Sequence, residues 1–227
     1  FNVTAVAEWS KNRVEHTTAT STGFDSNYYT YHNLAAGKVY TVSSDFIGSQ
    51  KMGYVARINY NYKGRYLATL SNRWDGSSIL AKGNQWAMFP AGAVAWRISD
   101  EAFMEQHQDW LSNAKLRVGY GVTGNAGAAE YATLDFSRTG VLGFQDVSTP
   151  FSGFNNNIAN RELEWEKSYQ WNIGLDLGFF NERLQVTADW YHTDTKDVLY
   201  QKSIAYGAGG VASRPFTIWS NVGHIRN

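Results

Sequence analysis

Residues 183–192 alternate apolar and polar side chains: Leu184, Val186, Ala188 and Trp190 share one phase, and Gln185, Thr187, Asp189 and Tyr191 the other. Successive side chains of a strand point to opposite faces, so this period of two predicts a β-strand with one apolar and one polar side. The preceding run does the same over a longer span. Trp165, Tyr169, Trp171, Ile173, Leu175, Leu177 and Phe179 oppose Glu166, Ser168, Gln170, Asn172, Gly174 and Asp176, with only Lys167 interrupting the apolar phase. Phe180, Asn181, Glu182 and Arg183 separate the runs and are few enough for a tight turn, which makes the pair an antiparallel hairpin.

A second hairpin centres on Lys63-Gly64. Met52, Tyr54, Ala56, Ile58, Tyr60 and Tyr62 alternate with Val55, Arg57, Asn59 and Asn61 on the way in; Tyr66, Ala68, Leu70 and Trp74 alternate with Thr69, Ser71, Arg73 and Asp75 on the way out. Residues 85–98 and 115–122 continue the pattern with Trp86, Met88, Val94 and Trp96, then Leu116, Val118, Tyr120 and Val122. Residues 1–15 form a weaker strand candidate, and 217–227 read as another strand, cut short. The sum is about seven long strands, an all-β chain.

Three properties select a membrane barrel over a soluble sandwich. The runs reach about 10 to 15 residues, against about 5 to 6 for an ordinary strand and about 9 to 11 for a tilted membrane-crossing one. Arg57, Arg73, Asp75, Glu166, Asp176 and Asp189 all fall on the polar phase, as a lipid-facing surface on the other phase requires. The tight turns at 63–64 and 181–182 alternate with long connections at 76–84, 123–161 and 200–216, matching the short periplasmic turns and long external loops of bacterial barrels. Tyr60, Tyr62 and Tyr66 at one tight turn, and Phe179 and Phe180 at the other, fit an interfacial aromatic girdle. The connection 99–114 lies on the short-turn side yet is not short; Ser99, Glu101, Phe103 and Met104 suggest a capped helical turn, hence one short periplasmic helix.

Composition narrows the chemistry. Lys+Arg and Asp+Glu both number 20, which gives neither the basic excess of a nucleic-acid binder nor an acidic tail. Without cysteine there is no disulfide, thiolate metal site or thiol nucleophile. The mean hydropathy is negative and no apolar run has the length of a membrane helix, but barrel strands hide half their residues in a polar lumen. The first ten residues have no signal-peptide pattern and read as mid-protein strand, so the chain is expected to be one part of a longer polypeptide.

Several motifs invite a chemical role. WDGSS at 74–78 could be a sugar or calcium site, but the plainer reading is a turn made by Asp75-Gly76 at a strand's outer end. Glu162, Glu164 and Glu166 alternate and would share one strand face, the arrangement a glycosidase pair needs; no neighbour separates their acidities, and they read as a solvated wall. His16, His32, His107, His192 and His224 are scattered, without the spacing of a zinc motif. Tyr28, Tyr29 and Tyr31, and residues 207–210, lie in predicted external loops that could stack on sugars or pack on a partner. GYGVTGN at 119–125 lacks the lysine and the helix of a phosphate loop and reads as a strand leaving the membrane. No residue is assigned a catalytic, cofactor or metal role, and the chain reads as no enzyme.

INYNYKGRYLATLSNRWDGSS at 58–78, FPAGAVAWRIS at 89–99, WLSNAKLRVGYGVTGN at 110–125, LEWEKSYQWNIGLDLGFFNERLQVTADWYHTDTKDVL at 163–199 and NVGHIRN at 221–227 together resemble the SusC/RagA group of TonB-linked outer-membrane receptors. The likeness covers nearly everything from Tyr54 onward and departs from the family pattern at Trp74, Ala91-Gly92 and His224. It implies that the chain is a stretch of the C-terminal half of a barrel of about 22 strands, within a single barrel domain in the bacterial outer membrane. It further implies an N-terminal plug and a TonB-pulled segment, both outside this sequence. The same resemblance implies a SusD-type surface lipoprotein as lid and oligosaccharide or peptide as cargo, and it allows a dimer of receptor–lipoprotein pairs. A passive porin without a plug, or a soluble carbohydrate-binding β-sandwich or glycosidase, are the alternatives the residues leave open.

Overall fold

The computed structural model describes residues 1–28, 30–144, 147–154, 157–205, 210–211 and 214–227. The first five strands are long: β1 (Asn2–Thr22), β2 (Val39–Tyr62), β3 (Tyr66–Ser77), β4 (Trp86–Arg97) and β5 (Leu111–Asn125). Shorter ones follow in the next connection, β6 (Ser137–Phe144), β7 (Val147–Phe154) and β8 (Asn157–Ile158). β9 (Glu166–Phe179) and β10 (Leu184–Lys196) are again long, and β11 (Leu199–Ser203), β12 (Gly210–Val211), β13 (Arg214–Pro215), β14 (Thr217–Asn221) and β15 (His224–Arg226) are short. The seven long strands and β15 form one sheet in the order β1-β2-β3-β4-β5-β9-β10-β15, antiparallel throughout.

Register turns the alternation of each strand into two continuous surfaces. Tyr60 pairs with Ala68, Ala68 with Val94, Val94 with Val118, Val118 with Ile173, and Ile173 with Trp190, so one apolar row crosses six strands. One residue along, Asn59, Thr69, Ala93, Gly119, Asn172 and Tyr191 form the parallel row on the opposite face. The apolar face lies open: Leu70 is 65%, Val94 57% and Trp190 57% exposed. Apolar rows of that extent exceed the patches a monomeric soluble protein shows to water and mark this side as the one that meets lipid.

Both tight turns stand where expected. At the first, Lys63 (φ 52°) and Gly64 (φ 72°) take the left-handed conformations of a hairpin turn, closed by the Arg65 amide donating to Tyr62 O at 3.0 Å. At the second, Phe180, Asn181 and Glu182 all have positive φ. They are held from the start of β5: Trp110 O, just before the strand, accepts the Phe180 amide at 3.0 Å, and Ser112 Oγ within it accepts the Glu182 amide at 3.1 Å.

Five local expectations change. Asp75 and Gly76 do not turn the chain; both are in β3, paired with Ala87 and Trp86, and the turn comes after Ser77. Gly76 is needed for packing, because a Cβ there would strike the Trp86 indole. The periplasmic helix is two 3₁₀ turns, Ile98–Asp100 and Ala102–His107, neither with a side-chain cap. Ser99 bonds Asp100 instead, and Glu101, at the N-cap position of the second turn, spends its carboxylate on other partners. Glu162 and Glu164 precede β9, so the three glutamates do not share a strand face. Trp165 likewise precedes β9 and leaves the lipid-facing phase. Residues 217–227 divide at Gly223 (φ 90°) into β14, paired with β11, and β15, paired with β10.

The first hairpin is much longer than its sequence pattern suggested, with β1 and β2 in unbroken register from Asn2↔Asn59 to Thr22↔Val39. Because β3 pairs with β2 only from Lys51 onward, the outer part of this hairpin stands beyond its neighbour. Tyr131, from the connection after β5, reaches across to it and accepts the Gly48 amide at 2.9 Å.

The buried core sits beside the sheet, in the external connections. Ile79, Leu80, Ala81, Ala126, Ala128, Ala132, Leu163 and Trp165 pack together against Phe89 and Val122, with Leu80 and Leu163 almost completely buried. Ala81 donates its amide to Leu163 O at 3.0 Å, and Trp165 donates its indole N–H to Gln85 O at 3.0 Å. Connections long in sequence are thereby fixed relative to the barrel rim.

Candidate functional site

The lipid-facing side carries two aromatic collars. Near the tight turns, Tyr60 and Tyr62 stack at 6.5 Å, Tyr62 meets Tyr66 at 6.4 Å, and Trp110 stacks on Phe179 at 6.1 Å. At the other end of β2, β3 and β4, Tyr54, Trp74 and Trp86 cluster with centroids 5.0 to 6.2 Å apart. Trp86 and Trp96 are separated by ten residues of β4; at about 3.4 Å per residue and a tilt of about 45°, that rises about 24 Å, close to the roughly 25 Å apolar band of outer-membrane barrels. Sequence reasoning identified the lower collar alone. Counting from Tyr66 to Trp74 along one phase would have revealed the upper one, and it gives Trp74 a role as an interfacial anchor.

At the lower collar the 3₁₀ segment folds back onto the aromatics. Glu101 accepts the Tyr66 hydroxyl at 2.6 Å and the Trp96 indole at 3.0 Å, with Arg65 Nη1 at 3.4 Å. These donors, the Tyr66 hydroxyl first, hold the Glu101 carboxyl below the usual glutamate range against the opposing pull of desolvation.

The opposite side is polar and laced with ion pairs that cross strands. Arg117 grips Asp176 with two hydrogen bonds of 2.8 Å and reaches Asp189 at 3.2 Å, tying β5, β9 and β10. Gly174 makes this possible, since a Cβ there would overlap both Arg117 and Asp189. Further toward the external end, Arg73 Nε donates to Asp75 Oδ2 at 2.5 Å and Arg73 Nη2 to Glu8 Oε2 at 3.1 Å, joining β3 to β1 across β2. Sequence reasoning missed Glu8, whose strand was weakly patterned, and the Glu8–Arg73 pair spans 65 positions of chain.

The structure scatters the other sequence candidates. Glu166 accepts the Leu199 amide at 2.9 Å and Asn125 Nδ2 at 3.3 Å, while Glu162 and Glu164 donate their amides to Asn160 and Asn221 side chains, so the three take separate structural roles. His16 pairs with Asp45 at 2.9 Å and His224 with Asp194, and His32, His107 and His192 lie against Tyr31, Trp110 and Trp190. Among the described residues no three His, Cys, Asp or Glu side chains gather as metal ligands. GYGVTGN lies in β5 and continues the wall. Tyr28 and Tyr31 are exposed in the connection between β1 and β2; Tyr29 and 207–209 fall outside the described residues, and Gly210 begins β12.

A lipid-exposed apolar band between two aromatic collars, backed by an ion-paired polar face, defines the wall of an outer-membrane β-barrel. Residues 2–227 match the family described as TonB dependent receptor-like, β-barrel, and the chain belongs to that family of outer-membrane proteins, whose members here are receptors and transporters rather than enzymes. The TonB-dependent receptor P3 of Formosa agariphila is 34% identical over 207 residues, 90% of this chain and 20% of that protein. The TonB-dependent receptor SusC of Bacteroides thetaiotaomicron is 35% identical over 179 residues, 78% of this chain and 17% of that one. The structure of the RagAB peptide transporter superposes with a TM-score of 0.78 at 26% identity, covering 99% of this chain and 24% of its counterpart. The siderophore receptor PirA from Acinetobacter baumannii, at 16% identity and a TM-score of 0.56, shares the fold. The chain thus spans about a fifth of the length of the relatives it matches.

Proposed function

We propose that this chain is part of the barrel wall of a SusC/RagA-type importer that brings oligosaccharides or peptides across the outer membrane. In this reading the chain is one stretch of a single barrel domain, a plug fills the lumen, TonB drives transport, and a SusD-like lipoprotein covers the external opening. The observation that carries it is the two-sided wall: lipid-facing rows on one side, and on the other Arg73 and Arg117 fixed by carboxylates across strands. The protruding β1–β2 hairpin supports the lid, since it presents exposed Tyr40, Val42 and Phe46 above the rim.

The test is uptake of labelled oligosaccharides and peptides by cells carrying the full-length receptor, with and without TonB. Accumulation that disappears with TonB, together with a lipid-anchored protein that co-purifies after gentle solubilisation, is the expected result. Uptake that persists without TonB identifies a passive porin instead.

A further inference from the structure

On the polar face, near the upper collar, β1, β2, β3 and β5 enclose a recess of about 350 Å³ lined by Glu8, Lys51, Arg73, Asp75, Asn125 and Trp165, among others. Its size lies at the lower end of the roughly 300–1,000 Å³ of small-molecule sites. Arg73 is pinned on two sides, by Asp75 through Nε and by Glu8 through Nη2, so its guanidinium is held in place before any ligand arrives. Gly53 is part of that construction, because a Cβ there would overlap Asp75 Oδ1 and crowd Arg73 Nη2. Asp75 Oδ1 is itself buried and makes no hydrogen bond, which leaves Asp75 a positioning residue rather than a contact. Among the described residues the Lys51 ammonium has no ion pair or hydrogen bond, and the Glu8 side chain is 63% exposed.

From this arrangement we infer that the recess is a ligand subsite on the barrel wall, taking a short zwitterionic peptide whose carboxylate meets Lys51 and Arg73 and whose ammonium meets Glu8. The inference deepens the importer reading and rests on it. Four charges that sum to zero, with one cation unpaired among the described residues and one accessible carboxylate, complement a ligand carrying both signs. Glycan recognition would call for an open aromatic platform, and the one aromatic ring lining the recess, Trp165, is 7% exposed and set edge-on against Phe89 at 5.2 Å. A neutral sugar would leave Lys51 without a counter-charge.

Calorimetric titration of the full-length receptor in detergent tests this with three probes: tetra-alanine with free ends, N-acetyl tetra-alanine amide, and tetragalacturonate. Free tetra-alanine should bind at least tenfold more tightly than the blocked form, and K51Q and E8Q should each remove most of that difference. A heat-modifiable shift on gels verifies that each variant folds. Absence of tetra-alanine binding, equal binding of free and blocked peptide, unchanged affinity in K51Q, or tetragalacturonate binding that depends on Lys51 in place of peptide binding would each overturn the inference. Binding in detergent needs no TonB, so peptide bound through Lys51 but not imported would count against the importer reading alone. TonB-driven uptake with K51Q affinity unaltered would count against the recess alone.

Discussion

Glu101 links a periplasmic turn to two aromatics of the lower collar, and its acidity makes that link pH-sensitive. Its carboxyl is held below the ordinary value of about 4.3, so the stabilisation is fully present above that value and is lost as pH falls through the lower, folded-state value. The stability advantage of the native protein over E101Q, measured by urea unfolding in liposomes, should therefore shrink on acidification below about pH 4. Asn72 makes a converse case. By parity it sits on the lipid-facing side, between Ala56 and Pro90, and its Oδ1 is buried without a partner. An unsatisfied buried acceptor costs about 1–3 kcal/mol, so Asn72→Leu should raise stability by about 1 kcal/mol in the same assay.

The hairpin is the unit that organises this wall, and its tight turns carry measurable conformational cost. Gly64 has open space around its Cα, so a side chain there would meet no atom, only an unfavourable φ of 72°. Gly64→Val should lower stability by about 1–2 kcal/mol, read as a fall in the urea midpoint, while Gly64→Asn should be milder. These turns and the strands that flank them were legible because their signals are local: period two in β9 and β10, a glycine at position 64, four residues between two runs. The extension of β1 to Thr22 was not, since Lys11, Arg13 and Glu15 replace the apolar phase that ends at Trp9. Nor was the role of Asp75, whose charge is spent on Arg73 rather than on turning the chain. The rim core was hidden for the same reason; Leu80, Phe89 and Leu163 come together from three separate connections and strands.

For the whole molecule, the decisive property is which side faces lipid, and two adjacent residues test it. Leu70 and Ser71 lie next to each other on β3 but point to opposite faces. Leu70→Arg should lower stability by about 2–4 kcal/mol, whereas Ser71→Arg, on the ion-paired side, should cost far less; heat-modifiable migration of the full-length variants reads both. The element order has a kinetic consequence as well. Every long strand pairs with its predecessor in the chain until β5, whose next partner is β9, across residues 126–165. Compared with the four-residue turn at 180–183, that closure carries roughly 2 kcal/mol more loop entropy. Assembly of this part of the barrel should therefore proceed as two preformed blocks, β1 to β5 and β9 with β10, whose joining is the slow event and awaits the collapse of Leu80 and Leu163 at the rim.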